Sequence, residues 1–188
     1  PYGVLGIQRD ITNLKTAENI AQQRAQQVRT AAEIARDTSG TLDLSELLQK
    51  SVNLVRERYG FYHASVFLLD SIGEYAVLQE STGEAGARMK GAGHRLAVGS
   101  QSIVGQTTAT GAALVVNDVR LDPTYYPNPL LPETLSEAAI PLKVGDRILG
   151  ALDVQSRRAN AFGDEDINIL QILADQVAVA VTNANLFT

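Results

Sequence analysis

The period of the apolar residues changes twice along this chain, and those changes constrain the fold more than any single motif. From residue 11, apolar side chains recur in steps of three and four at Ile11, Leu14, Ala21, Ala25, Val28, Ala32 and Ala35, with Glu18 the one polar intruder. The same spacing returns at Ile167, Leu170, Ala174, Val177, Val181 and Ala184. In the segment between, the clearest apolar runs alternate with period two. Steps of three and four put side chains on one face of a helix, and alternation puts them on one face of a strand. The pattern predicts a strand-rich globule between two long amphipathic helices, a relay within a longer chain rather than a free-standing catalyst.

At 188 residues the chain can bury one core plus its helical extensions. No run approaches the roughly 18 to 20 apolar residues expected of a membrane-spanning helix, and no secretory leader is visible, so no membrane contact is expected of this segment. Cysteine is absent. That removes disulfides, thiolate metal sites, cysteine nucleophiles and thioether cofactor attachment, and it fits a reducing, cytoplasmic setting. The net charge is −5, with residues 1–60 holding eight Lys/Arg against seven Asp/Glu and the remainder eight against fourteen. Nothing resembles the basic face that a phosphate backbone requires, so nucleic acid is not an expected partner.

Residues 1–10 read as one short strand with no mate, the edge of a preceding domain. Asp10 can cap the helix that follows to about residue 38, whose alanine-rich seam would make only a weak, tunable coiled coil. A solvated linker helix without a fixed partner fits the same residues. Ser39-Gly40-Thr41 break it, and residues 42–59 form the next helix, with Leu44, Leu47, Leu48, Val52 and Val55 in one stripe. Strands are expected at 63–70 and 75–81, joined by a turn. Residues 83–99 read as loop, because Gly83, Gly86, Gly91, Gly93 and Gly99 fall within them, with a short strand at 95–98.

Ser102 can cap a two-turn helix ending at Gly111, and a short strand follows at 113–117. Four of the six prolines, Pro123, Pro127, Pro129 and Pro132, stiffen a long loop at 118–133 beside Tyr125 and Tyr126. The clearest hairpin spans 138–155. Ala138, Ile140, Leu142 and Val144 point one way, Gly145-Asp146 turns, and Ile148, Gly150, Leu152 and Val154 return on the matching face. Pro141 within it implies an edge or a bulge. Asp164, Glu165 and Asp166 favour the start of the last helix, which is apolar on more than one side through Ile169, Ile172, Leu173 and Ala180. One side can cover the sheet while another meets a second subunit.

These residues resemble a GAF domain, a sensory module of bacterial signalling proteins. The matching stretches are Ile103-Val104-Gly105, Thr110-Gly111, Asn117-Asp118-Val119 with Asp122-Pro123, Ser136 through Ile140-Pro141-Leu142, and Ile148-Leu149-Gly150-Ala151-Leu152. Leu173-Ala174, Gln176-Val177-Ala178 and Asn183-Ala184 in the last helix complete them, and the likeness covers about residues 40–187. Residues 3–18, with Asp10-Ile11-Thr12, resemble the end of a PAS domain running into its exit helix. The organisation expected is a PAS remnant at 1–10, a linker helix at 11–38 and a GAF domain at 39–188. What the resemblance implies is an α+β fold: an antiparallel sheet of about six strands, terminal helices on one face, and a loop-covered pocket on the other. The parent would be a multidomain sensor of histidine kinase or diguanylate cyclase type, although no phosphoacceptor region, ATP-binding segment or cyclase motif lies within this sequence.

The inventory argues against catalysis. Without cysteine, the methionine-sulfoxide reductase activity of some relatives is excluded, as is thioether bilin attachment within the segment. His63 and His94 are the only histidines, lack metal-ligand spacing, and read as strand-end residues. No serine sits in a nucleophile elbow, and the acidic triplet at Asp164 is a helix-start feature. A cyclic nucleotide, the ligand of some relatives, could place its phosphate at the helix after Ser102. Between Ser100 and Glu137, however, Arg120 alone faces Asp118, Asp122, Glu133 and Glu137, a field that disfavours an anion. The Asn-Lys…Phe…Asp-Glu pattern of cyclic-nucleotide binders is absent too, since Ala161 follows Asn160.

By family geometry the polar groups placed to line a pocket are Ser102, Gln106, Asp118, Tyr125, Tyr126 and Ser136. Each has a structural alternative: Ser102 as a helix cap, Asp118 and Ser136 as loop pins, the tyrosines as cover for a core edge. No particular cofactor is implied. Two functions stay open: a small-molecule sensor relaying through a parallel homodimer of its terminal helices, and a ligand-free dimerisation and relay module.

Overall fold

Alternation builds the sheet here, and three-four spacing builds the helices that cover it. A computed structural model describes residues 44–186. In order they form helix α1 (Leu44–Tyr59), strands β1 (His63–Leu69) and β2 (Tyr75–Ser81), helix α2 (Gly83–Gly91), strand β3 (Arg95–Ala97) and helix α3 (Ile103–Thr110). Strands β4 (Leu114–Val116), β5 (Ser136–Val144) and β6 (Arg147–Ser156) and helix α4 (Asp164–Leu186) follow. The expected PAS remnant at 1–10 and linker helix at 11–38 lie outside the described residues. The strands make one six-stranded sheet in the order β3-β2-β1-β6-β5-β4, with every neighbouring pair antiparallel. The α+β architecture expected from the sequence is the one observed.

Strand β6 lies at the centre of that order, joined to β5 in a hairpin. Ala138 faces Val154 and Ile140 faces Leu152, and all four side chains are buried with Leu142 against α1 and α4. The register shifts between Leu142 and Lys143, leaving Leu149 as an extra residue on β6, so Leu149 packs against the helical core in place of the expected Ile148, which lies beside Gly111. Val144, expected to continue the apolar face, is exposed beside Arg147 next to the turn. Pro141 is tolerated because β4 pairs only with Glu137, Ala138 and Ala139, which leaves one side of β5 without a strand neighbour further along. Gly150 has a different necessity. A Cβ there would lie 1.9 Å from the Phe67 carbonyl oxygen of the neighbouring β1, so only glycine lets the two strands approach.

One face of the sheet carries α1 and α4, whose Leu48, Val52, Val55, Leu170, Ala174 and Val181 interlock with Val66, Ile140 and Leu152. The other face carries a second cluster in which Met89 of α2 and Ile103 and Val104 of α3 meet Phe67, Leu78, Val116 and Leu131. Helix α4 starts as its acidic triplet predicts, with the Gly163 N–H donating to Asp166 Oδ2 at 2.9 Å. By length and mean hydropathy (1.3) its 164–184 stretch could cross a membrane, contrary to the expectation that no run would qualify. Its buried side chains Leu170, Ala174, Val177, Ala178 and Val181 belong instead to the core of this domain.

Helix α2 departs from the sequence reading, which placed loop at 83–99. Glycines normally weaken a helix by about 1 kcal/mol each. Here Gly86 is required by contact: a Cβ on it would stand 2.7 Å from the Ser81 carbonyl carbon, so the helix backbone lies directly on the end of β2. Met89 then anchors the helix in the core, and Lys90 pairs with the buried Glu80.

These contacts set opposite outcomes for two glycines of one helix. Gly86→Ala should lower the free energy of unfolding by about 1–3 kcal/mol through overpacking. Gly91→Ala, whose Cβ would meet nothing within 4 Å, should be neutral or stabilising by about 0.5 kcal/mol. Urea unfolding of the two variants checks the pair.

Candidate ligand-binding site

Period two fixes the floor of the site. If Ala138, Leu152 and Val154 face the helices, then Glu137, Ala139, Ala151, Asp153 and Gln155 face the other way. A cavity of about 320 Å³ opens on that side. Its floor is Ser65 and Phe67 of β1, Glu137 of β5, and Asp153 and Gln155 of β6; Met89, Leu96, Ile103 and Val104 wall it. Tyr125, Tyr126 and Leu130 of the proline-rich loop close over it. Pro123, Pro129 and Pro132 sit in its turns, and Asx-type contacts pin it. Asp122 Oδ1 accepts from the Thr124 N–H at 2.8 Å, and Asn128 Oδ1 accepts from the Leu130 N–H at 2.9 Å.

Two buried acids dominate the electrostatics. Asp153 is 2% exposed and Glu137 7%. Asp153 Oδ2 accepts from Gln155 Nε2 at 3.0 Å, and Gln155 Oε1 in turn accepts from Thr134 Oγ1 at 2.6 Å. Asp153 Oδ1 finds no amide, hydroxyl or cationic donor among the described residues; besides Gln155, only the Glu137 carboxyl interacts with this side chain. Burial pushes the Asp153 carboxyl up to about 6, against the pull of hydrogen bonds from Gln155 and Glu137. Glu137 is raised well above the usual carboxylate range by burial, then by the charge of Asp153 and the hydrogen bond to it. Burial and mutual repulsion thus oppose two full negative charges on this floor, and both carboxyls hold a proton more tightly than they would in water. Burial, with the charge of Glu137 behind it, also raises the Tyr125 hydroxyl.

Behind Ser65 lies a neutral hydroxyl–imidazole network. His63 Nε2 is 2.9 Å from Ser65 Oγ and 2.8 Å from Ser81 Oγ, and the two hydroxyls are 2.8 Å apart. Burial, with the charge of Arg56, lowers His63 to about 4, so it is a neutral pin between β1 and β2. His94, also lowered by burial, lines the cavity edge-on to Phe67. Each histidine stands at or just before a strand end. Among the described residues no group of three or more His, Asp or Glu is arranged to hold a metal.

The six residues expected at the site divide evenly. Ser102, Tyr125 and Tyr126 line the cavity, although Ser102 Oγ is also the helix cap, accepting from the Gly105 N–H at 2.9 Å. Gln106 turns to its own preceding loop, donating to the Gly99 and Ser100 carbonyls at 2.8 and 2.9 Å. Asp118 is engaged on both oxygens by Arg120, and Ser136 Oγ donates to the Arg158 carbonyl at 2.7 Å. Those three lie outside the cavity. Sequence reasoning overlooked Asp153, Gln155 and Ser65 and weighed Glu137 only as a charge. The signal was present: two acids near the open end of the hairpin, next to its most apolar residues and both on the face opposite its core.

A raised carboxyl pKa sets the sign of the pH dependence. The folded state binds the proton more tightly than the unfolded chain, so this contribution to stability falls as pH rises from about 4 through about 6. The groups facing Asp153 across the cavity are Glu137 from β5 and Tyr125 from the loop, and neither supplies a positive charge. Asp153→Asn should therefore raise stability at pH 7.5 by about 1–3 kcal/mol, with the gain shrinking toward pH 4. Urea unfolding of both proteins across that range measures it.

Known proteins supply the remaining context. Among curated proteins none matches the chain. Its fold is similar to the GAF domain of a phosphoenolpyruvate-protein phosphotransferase from Coxiella burnetii (TM-score 0.73, 21% identity, covering 85% of this chain and 95% of that one). It is similar also to free methionine-R-sulfoxide reductase from Neisseria meningitidis, solved with its substrate (TM-score 0.71, 22% identity, 88% and 94% covered). A segment of a methyl-accepting chemotaxis protein shares it as well (TM-score 0.67, 19% identity, 84% and 98% covered). At these identities the likeness speaks for the fold. The family model for the GAF domain matches residues 43–181, the whole sheet and most of α4, and the chain belongs to that family.

Proposed function

We propose that this GAF domain is a regulatory module that binds a small molecule in the cavity and relays occupancy through its terminal helices to a neighbouring output domain. One observation carries the reading: the cavity floor and the helix-packing surface are opposite faces of the same two strands. Asp153 faces the cavity while Leu152 and Val154, its chain neighbours, belong to the core shared with α1 and α4. A ligand that repositions β6 must disturb the seat of α4. The occurrence of this fold in a chemotaxis protein and in a phosphotransferase supports a regulatory role. The absence of cysteine supports a non-catalytic one.

The relay works in a dimer. Helix α4 keeps Ile172 and Val179 exposed, one heptad apart, on the side away from its buried stripe. A second copy meeting that seam in parallel would give the helix two alternative seats. The natural setting is a multidomain sensor, with a PAS unit upstream and a histidine kinase or diguanylate cyclase downstream.

Two measurements on the 188-residue chain test this reading. In sedimentation, Ile172→Glu with Val179→Glu should convert dimer to monomer with little change in thermal midpoint, since neither side chain is in the core. In a thermal-shift panel of nucleotides, amino acids and amines, a ligand at 100 times its dissociation constant should add about 2.7 kcal/mol of stability. Silence across the panel with the dimer intact would leave only a ligand-free relay.

A further inference from the structure

Resting on the reading of the cavity as a sensor site, we propose that its ligand is a small organic ammonium, whose N–H donors seat on Asp153 and Glu137 and whose apolar body lies beneath Tyr125. Buried polar atoms in folded proteins are almost always partnered, yet no N–H or hydroxyl among the described residues reaches Asp153 Oδ1, and the group that interacts with its carboxyl besides Gln155 is another acid, Glu137. A second buried carboxyl, Glu137, stands on the same floor. What is missing from this site is a hydrogen-bond donor carrying positive charge.

The protein does not supply one itself. Among the described residues lining the cavity there is no lysine or arginine. Nearby cations are committed elsewhere: Lys90 to Glu80, Arg120 to Asp118, Arg157 to Glu133 and to the face of the Tyr62 ring. His94 is held neutral by burial. An anion would meet only like charge here, which argues against a phosphate or a cyclic nucleotide.

An ammonium group fits the chemistry of the floor. It carries three N–H donors, enough for Asp153 Oδ1, for Glu137 and for a third acceptor such as Ser65 Oγ. Phe67 and Tyr125 present aromatic surface to a cation. Met89, Leu96, Ile103 and Val104 ask for a hydrocarbon body. At about 320 Å³ the cavity stands at the small end of ligand pockets, suited to a compact metabolite. A bare metal ion would leave this apolar wall unused and would find two carboxylates where it needs more ligands.

The experiment uses the 188-residue chain and three probes of one carbon skeleton: isoamylamine, isoamyl alcohol and isovalerate. Phenethylamine, cadaverine and the methyl esters of the apolar amino acids extend the ammonium set, and calcium chloride and manganese chloride are run alone. Thermal shift and calorimetric titration near neutral pH are the readouts. At least one ammonium should bind, its matched alcohol and carboxylate should not, and Asp153→Asn should weaken that binding at least tenfold while remaining folded. Glu137→Gln should weaken it independently. Equal binding of all three skeleton probes, a response to the metal salts alone, or no response to any ammonium overturns the proposal. A nucleotide or other anion binding instead overturns the ammonium assignment and leaves the sensor reading standing. Loss of the dimer with ammonium binding intact does the reverse.

Discussion

A β-strand cannot present one face without presenting the other, and that constraint organises this domain. In β5 and β6, the side chains that anchor the helices alternate along the chain with ones that face the opposite side of the sheet. Ile140, Leu152 and Val154 fill the helical core; Ala139, Asp153 and Gln155 line or border the opposite side. The small residues between them allow close layers on both faces, and Gly150 permits β1 and β6 to approach at the one point where a side chain could not fit. A one-residue slip in register would exchange the acids with the core. Neither face can change its register without the other.

The placement of Asp153 gives that constraint an energetic consequence. A carboxyl whose second oxygen meets no amide, hydroxyl or cationic donor, buried beside a second carboxyl, is held at a cost of the order of 1–3 kcal/mol. Local destabilisation of this kind is characteristic of functional sites, where chemistry overrides stability. Its size matches the coupling free energies by which one site commonly influences another. A ligand that satisfied Asp153 would stabilise the geometry of β6 that positions the acid, and under the proposed function the same free energy would bias the seat of the helices behind.

Sequence periodicity made most of this architecture readable, and the exceptions have identifiable causes. The hairpin, the Ser102 cap, the left-handed Gly111 C-cap and the acidic start of α4 are local devices, determined by residues close in sequence. Helix α2 was concealed because glycine usually marks a break; the reason for Gly86 is its contact with Ser81, which no local pattern reports. Ile148 misled because the bulge at Leu149 depends on how β6 pairs with β5, and Val144 because it stands next to the turn, where it is exposed. The site was only partly legible for a similar reason. Gln106, Asp118 and Ser136 are polar residues in the right neighbourhood whose partners turned out to be a loop carbonyl, an arginine and a distant backbone. Asp153 and Gln155 were visible as polar interruptions of an apolar strand, but their importance appears only when the face they occupy is set beneath the proline-rich loop.

Helix α4 is where sheet geometry becomes something another molecule can read. Its core stripe, through Leu170, Ala174, Val177 and Val181, fixes its rotation on the sheet, while Ile172 and Val179 project from a different side. Successive helical residues are separated by about 100°, so a rotation that reseats the buried stripe must swing the exposed seam by the same angle. Close-packed interfaces change between discrete arrangements rather than deforming smoothly, because interdigitated side chains resist intermediate positions. A perturbation of β6 too small to alter the fold can therefore select between two seats of α4, and a second copy docked on the Ile172–Val179 seam would experience that selection as a change in helix register.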